Sequence, residues 1–121
     1  MVYLKSIISY FPSAFVCKYA DDILKEIEHF NLDERLQLVK AMGISLIKEK
    51  PRRADLKLKY LNFGWEQLAQ TQKAVPFMDC SSILVEFAIK NMKQESVNNF
   101  ISEIFKRFRD FVRVEEDEEL Y

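Results

Sequence analysis

Between Asn31 and Lys50, apolar residues recur at steps of three and four: Leu32, Leu36, Val39, Met42, Gly43, Leu46 and Ile47. That spacing draws one stripe down a 3.6-residue helix, while Asp33, Arg35, Gln37, Lys40, Ser45 and Lys48 take much of the remaining surface. Asn31 followed three residues later by Glu34 is a capping-box signature. It offers an amide oxygen for one unpaired N–H and a carboxylate reaching back for another. Pro51 ends the helix by pushing Lys50 out of the helical region. An amphipathic helix of about four or five turns cannot hide its stripe alone.

The same pattern recurs along the chain. Val2 to Ser9 reads as a short helical piece with Tyr3, Leu4, Ile7 and Ile8 apolar, and Tyr10-Phe11-Pro12-Ser13 breaks it. Pro12 suits the first turn of the next helix, whose stripe of Phe15, Val16, Tyr19, Ile23, Leu24 and Ile27 runs unbroken to about His29. Beyond Pro51, the residues Leu58, Leu61, Trp65, Leu68 and Ala69 mark a helix from about Ala54 to Gln70. Gly64 lies inside it at a cost of about 1 kcal/mol against alanine. A neighbouring helix approaching closely would explain that glycine, and Gly43 likewise. Thr71 to Val75 is a connection, and Pro76 opens a further helix with Phe77, Cys80, Ile83, Leu84, Phe87 and Met92 inward. A last helix starts near Glu95 and carries Val97, Phe100, Ile101, Ile104, Phe105, Phe108 and Phe111 as one aromatic-rich stripe.

Helices opening near Ser13, Arg53 and Glu95 recur at about forty residues, the period of HEAT- or armadillo-like repeats. The pattern therefore predicts an all-α fold, an α-solenoid fragment of stacked antiparallel helical hairpins with about five to six helices. Residues 1–114 form one helical repeat domain, and 115–121 form an acidic tail expected to be poorly ordered. Both ends read as cut from a larger solenoid, because the last hairpin lacks its second half. A self-contained helical bundle is the alternative arrangement.

Composition narrows this further. Two glycines and three prolines in 121 residues are too few to turn the hairpins of a sandwich or barrel. A net charge of −1 creates no global field for nucleic acid or anionic membrane. No window holds the ~18–20 uninterrupted apolar residues of a membrane span. Pro12 splits the apolar run 6–17, and no small-residue cleavage site follows. The cytoplasmic side is the expected location. Cys17 and Cys80 lie far apart within apolar patterns, as buried reduced thiols do.

Candidate chemistry is sparse. His29, the single histidine, stands about three turns after Cys17 on one predicted helix, out of reach for a nucleophilic pair. Two cysteines and one histidine, without ligand spacing, do not build a zinc site. No glycine-rich loop cradles phosphate. Asp21, Asp22, Glu26 and Glu28 read as a solvated face. No catalytic residue, metal or cofactor is expected. Candidate partner-binding residues are the basic Lys48, Lys50, Arg52, Arg53, Lys57 and Lys59, and the stripe members Phe105, Phe108 and Phe111. The basic segment also supports an alternative, a small helical module for nucleic acid or anionic membrane. Glu49 and Asp55 dilute it, however, and no exposed aromatics interleave as in single-strand binders.

Tyr10-Phe11-Pro12-Ser13-Ala14-Phe15-Val16-Cys17, Asp22-Ile23-Leu24, Asp33-Glu34-Arg35-Leu36 and Ala41-Met42-Gly43 resemble a segment of a known scaffold. Pro51-Arg52, Cys80, Val85-Glu86 and Val97-Asn98 extend the similarity toward the acidic Glu115–Tyr121. The family is the large helical-solenoid subunit of retriever, the retromer-like part of the Commander assembly that recycles cargo from endosomes. The resemblance implies a non-enzymatic scaffold in the cytoplasm, associated with endosomes. Its implied partners are an arrestin-like subunit, a metallophosphoesterase-like subunit and coiled-coil Commander subunits. It implies no nucleic acid, and contact with the endosomal membrane only through partners. No family contact maps onto a numbered residue here.

Overall fold

The computed structural model describes Val2 to Glu119, with side chains to Arg113, and among these residues it is built of helices alone. In order they are α1 (Val2–Tyr10), α2 (Ser13–Lys18), α3 (Ala20–Ile27), α4 (Leu32–Glu49), α5 (Ala54–Gln70), α6 (Ala74–Asn91) and α7 (Gln94–Glu119). The hairpins stack in two layers. One layer holds α1, α4 and α6 side by side, and the other holds α2–α3 followed by α5. The α1–α2, α3–α4, α4–α5 and α5–α6 turns all cross between the layers, and α7 packs on α6.

Seven helices stand among the described residues where five to six were expected, and one break accounts for most of the difference. The stripe from Ser13 to His29 is interrupted at Tyr19, whose φ of −101° and ψ of 19° lie in the bridge region between helix and strand. Asp21 and Asp22 then fall in the first turn of α3, where the helix dipole favours negative charge. The kink lets α2 lie along α4 while α3 turns onto α5. Apolar spacing alone carries no trace of it, because the stripe stays in phase across the break.

The central helix starts as expected: the Asn31 Oδ1 accepts from the Glu34 N–H at 2.9 Å. No return bond from the Glu34 carboxylate occurs among the described residues. At its other end Lys50 adopts φ 54° and ψ 73°, and its N–H donates to the Leu46 carbonyl at 3.0 Å. Proline blocks the right-handed conformation at the preceding residue, and here the chain takes the left-handed cap instead of an extended one. Among the described residues Lys50 is the one non-glycine with positive φ.

Leu38 and Ser45, outside the single stripe, are buried together with Leu36, Val39, Met42 and Leu46. Ser45 was expected on the polar surface. It lies instead beneath α1, donating its hydroxyl to the Ile8 carbonyl at 3.0 Å. A helix in the middle of a layer is covered on several sides, so its buried arc exceeds that of a surface helix. Both glycines mark close approach. A Cβ on Gly43 would run into the Tyr60 hydroxyl and lie 2.5 Å from Ile83 Cγ2, and one on Gly64 would lie 2.8 Å from both Leu84 methyl carbons. Fully buried Tyr60 donates to the Val39 carbonyl at 2.7 Å. It meets the edge of Phe87 with ring centroids 4.8 Å apart.

The backbone of α7 runs through Glu119. The remainder of the expected tail, Leu120 and Tyr121, lies outside the described residues, as do the side chains from Val114 onward.

Candidate functional site

The fold divides the basic segment. Lys48 lies on the open side of α4, whereas Arg53 and Lys59 reach across α5 to α3. There Asp21 accepts from Lys59 Nζ at 2.8 Å and from Arg53 at 3.2 Å, and Arg53 also grips Asp55 at 2.6 Å. The hydrogen bond from Lys59, then that from Arg53, holds the Asp21 carboxyl below the usual carboxylate range. Arg53 lowers Asp55 in the same way, and both carboxylates raise the guanidinium of Arg53. Lys50 and Arg52 are exposed and Lys57 is half-buried. Two of the six, Arg53 and Lys59, are already paired with acids.

The aromatic stripe of α7 also divides. Phe111 rests on Phe77 with ring centroids 5.2 Å apart, beneath the guanidinium of Arg107 at 4.9 Å. Arg107 in turn donates to the carbonyl of buried Thr71 at 2.5 Å. Phe100 meets Trp65 edge-on at 6.1 Å. Phe105 and Phe108, by contrast, are 59% and 37% exposed. A half-buried set thus fastens α7 to α5 and α6, and Phe105 and Phe108 are left open.

A third feature joins parts of the chain that lie far apart in sequence. A cleft of about 850 Å³ opens between α1, the α1–α2 turn, α4 and the start of α6. Its floor is a second face of α4, carrying Gln37, Lys40, Ala41, Ile44 and Lys48. Those positions recur at helical spacing and include an isoleucine among polar residues, the one signal that could have found it. Tyr10 and Phe11 on one rim and Val75 on the other are exposed.

No acid–base pair emerges at these features. His29 is exposed just past the end of α3, Cys17 is half-buried and Cys80 is buried at the cleft wall. Burial pushes the Cys80 thiol up to about 12; nearby Lys40 opposes the rise and Asp79 adds to it. Burial likewise raises Cys17, so both thiols are held protonated, the poor nucleophilic form. Among the described residues no group of His, Cys, Asp or Glu is arranged to hold a metal. None of their helices is long and apolar enough to cross a membrane.

Stacked hairpins with open apolar faces are shared by many scaffolds, so a comparison of families decides between them. The family model of the VPS35L C-terminal domain matches residues 1–116. The chain belongs to that family. The retriever resemblance read from Tyr10–Cys17, Asp33–Leu36 and Ala41–Gly43 is thereby supported: this is a segment of the VPS35L type of retriever subunit. No curated protein and no solved structure matches the chain. In this VPS35L C-terminal domain the open features are the Phe105–Phe108 face and the α1–α4–α6 cleft, while the exposed cations of the 48–59 segment lie around the α4–α5 turn.

Proposed function

We propose that this VPS35L C-terminal segment is a non-enzymatic protein–protein interaction scaffold for endosomal cargo recycling. The observation that carries the reading is the family match over residues 1–116. Solenoid stacking supports it, since such folds present extended surfaces to partners instead of enclosing a reaction. Buried Cys80 and half-buried Cys17, both with raised thiol pKa, and the exposed His29 are in keeping with it. The expected partners are the arrestin-like, metallophosphoesterase-like and coiled-coil subunits of the Commander assembly. Placement on the cytoplasmic side of endosomes would follow from those partners.

The test is co-expression of the chain with each of the three kinds of subunit, followed by affinity capture and size-exclusion chromatography. Co-elution with at least one is the expected result. If none is retained while a full-length VPS35L binds them under the same conditions, the scaffold reading of this segment is wrong.

A further inference from the structure

We propose that the cleft between α1, α4 and α6 docks an acidic peptide segment of a protein partner, one with aliphatic or aromatic side chains among its carboxylates. The inference rests on the scaffold reading and supplies the chemistry of one contact.

Lys40 and Lys48 stand about two helical turns apart on the cleft floor, and Lys5 of α1 lines it as well. None of the three makes an ion pair among the described residues, whereas Lys59, Lys73, Lys90 and Lys106 all do. Of the two carboxylates lining the cleft, Asp33 is held by Lys73 at 2.8 Å. Asp79 alone is left to offset three ammonium groups. The cleft therefore carries surplus positive charge in a chain whose net charge is −1, and desolvated walls focus such a field.

Shape and apolar lining select a peptide over other anions. Ile44 lies between the two floor lysines, 40% exposed, with Phe11 at 46% and Val75 at 68% on the facing rims. Single exposed apolar residues need no explanation. Several around one recess, within the size range of about 300–1,000 Å³ typical of ligand sites, form a binding surface. A phosphate polymer would leave these side chains wet, and a bilayer is too flat to reach the floor. An extended or singly turned peptide can place carboxylates on Lys5, Lys40 and Lys48 and an apolar side chain on Ile44.

The probe is a fluorescein-labelled octapeptide, Glu-Glu-Leu-Leu-Glu-Glu-Leu-Phe, titrated with the full chain by fluorescence anisotropy. Saturable binding is expected, weakening as salt rises from about 50 to 300 mM. The double variant Lys5→Glu with Lys48→Glu, both at exposed positions, should weaken it at least about tenfold, as charge reversal at an interface does. Ile44→Ser should weaken it without changing the salt dependence, and melting curves would confirm that each variant folds. The proposal is overturned if the octapeptide shows no saturable binding, or if its all-lysine counterpart binds equally well. It is also overturned if oligo(dT) or phosphatidylserine vesicles bind in preference and lose binding in the same variants, since that would make the cleft a phosphate site. Loss of octapeptide binding with intact capture of Commander subunits sinks the cleft alone. Failure of the capture experiment with intact octapeptide binding sinks the scaffold reading instead.

Discussion

Replacing Gly43 by alanine puts a methyl group where α4, α5 and α6 converge. The new carbon would collide with the Tyr60 hydroxyl and sit 2.5 Å from Ile83 Cγ2. Tyr60 has little room to yield, because it is fully buried, its hydroxyl donates to the Val39 carbonyl at 2.7 Å, and its ring abuts Phe87. Three effects decide the outcome. Alanine improves helix propensity by about 1 kcal/mol. Overpacking costs about 1–3 kcal/mol, and displacing a buried hydrogen-bonded hydroxyl costs about 1–3 kcal/mol more. A net loss of about 1–5 kcal/mol follows, read as a lower urea midpoint at unchanged m by far-UV circular dichroism. Gly64→Ala is the internal comparison. There the obstacle is the two methyl ends of Leu84 at 2.8 Å, which can rotate, so the cost should stay within about 1.5 kcal/mol. In a Tyr60→Phe background the hydroxyl is gone, and Gly43→Ala should cost at least about 1 kcal/mol less than in the parent. A neutral or stabilising Gly43→Ala, or equal cost in both backgrounds, would refute the account of the glycine as a packing necessity.

Other outcomes follow from the same geometry. The folded pKa of Cys80 is raised, so its stabilising contribution is whole below the ordinary thiol range and is lost as pH climbs toward about 12. Melting temperatures should fall from about pH 9 upward, and Cys80→Ala should flatten that slope whatever it does to stability at neutral pH. Tyr60, raised by burial as well, should leave a residual decline above about pH 10. At Lys50, held at φ 54°, glycine removes the left-handed strain. Lys50→Gly should stabilise by up to about 1 kcal/mol in urea titrations, and a destabilised variant would contradict the cap assignment.

Sequence pattern was most informative where one helix face met one neighbour. The limits Ala54 and Gln70, the Asn31 cap and the termination at Lys50–Pro51 all follow from local chemistry, and local chemistry travels with the residues. The two glycines were also legible, since a helix tolerates glycine where something must come close. What stayed hidden depends on the third dimension. The break at Tyr19 leaves the stripe in phase, so α2 and α3 look like one rod. Leu38 and Ser45 fall off the main stripe and are buried because α4 has neighbours on several sides, α1 over Ser45 among them. The basic segment looks continuous along the chain, yet Asp21, some thirty residues earlier, draws Arg53 and Lys59 aside. Beyond the faint spacing of its floor on α4, the cleft was hidden for the same reason: it joins residues of α1, α4 and α6 that no single window contains.

Repeat arrays ordinarily melt and reform unit by unit, because each unit touches only the next. Here α4 packs against α1, α2, α3, α5 and α6, and α7 is anchored mainly to α6. The chain should therefore lose its first six helices in a single all-or-none transition, with coincident probes. Amides of α7 should exchange with solvent sooner, through a separate and cheaper opening. A partner seated on Phe105 and Phe108 would suppress that early exchange without touching the main transition, so occupancy of this end would be readable from deuterium uptake alone.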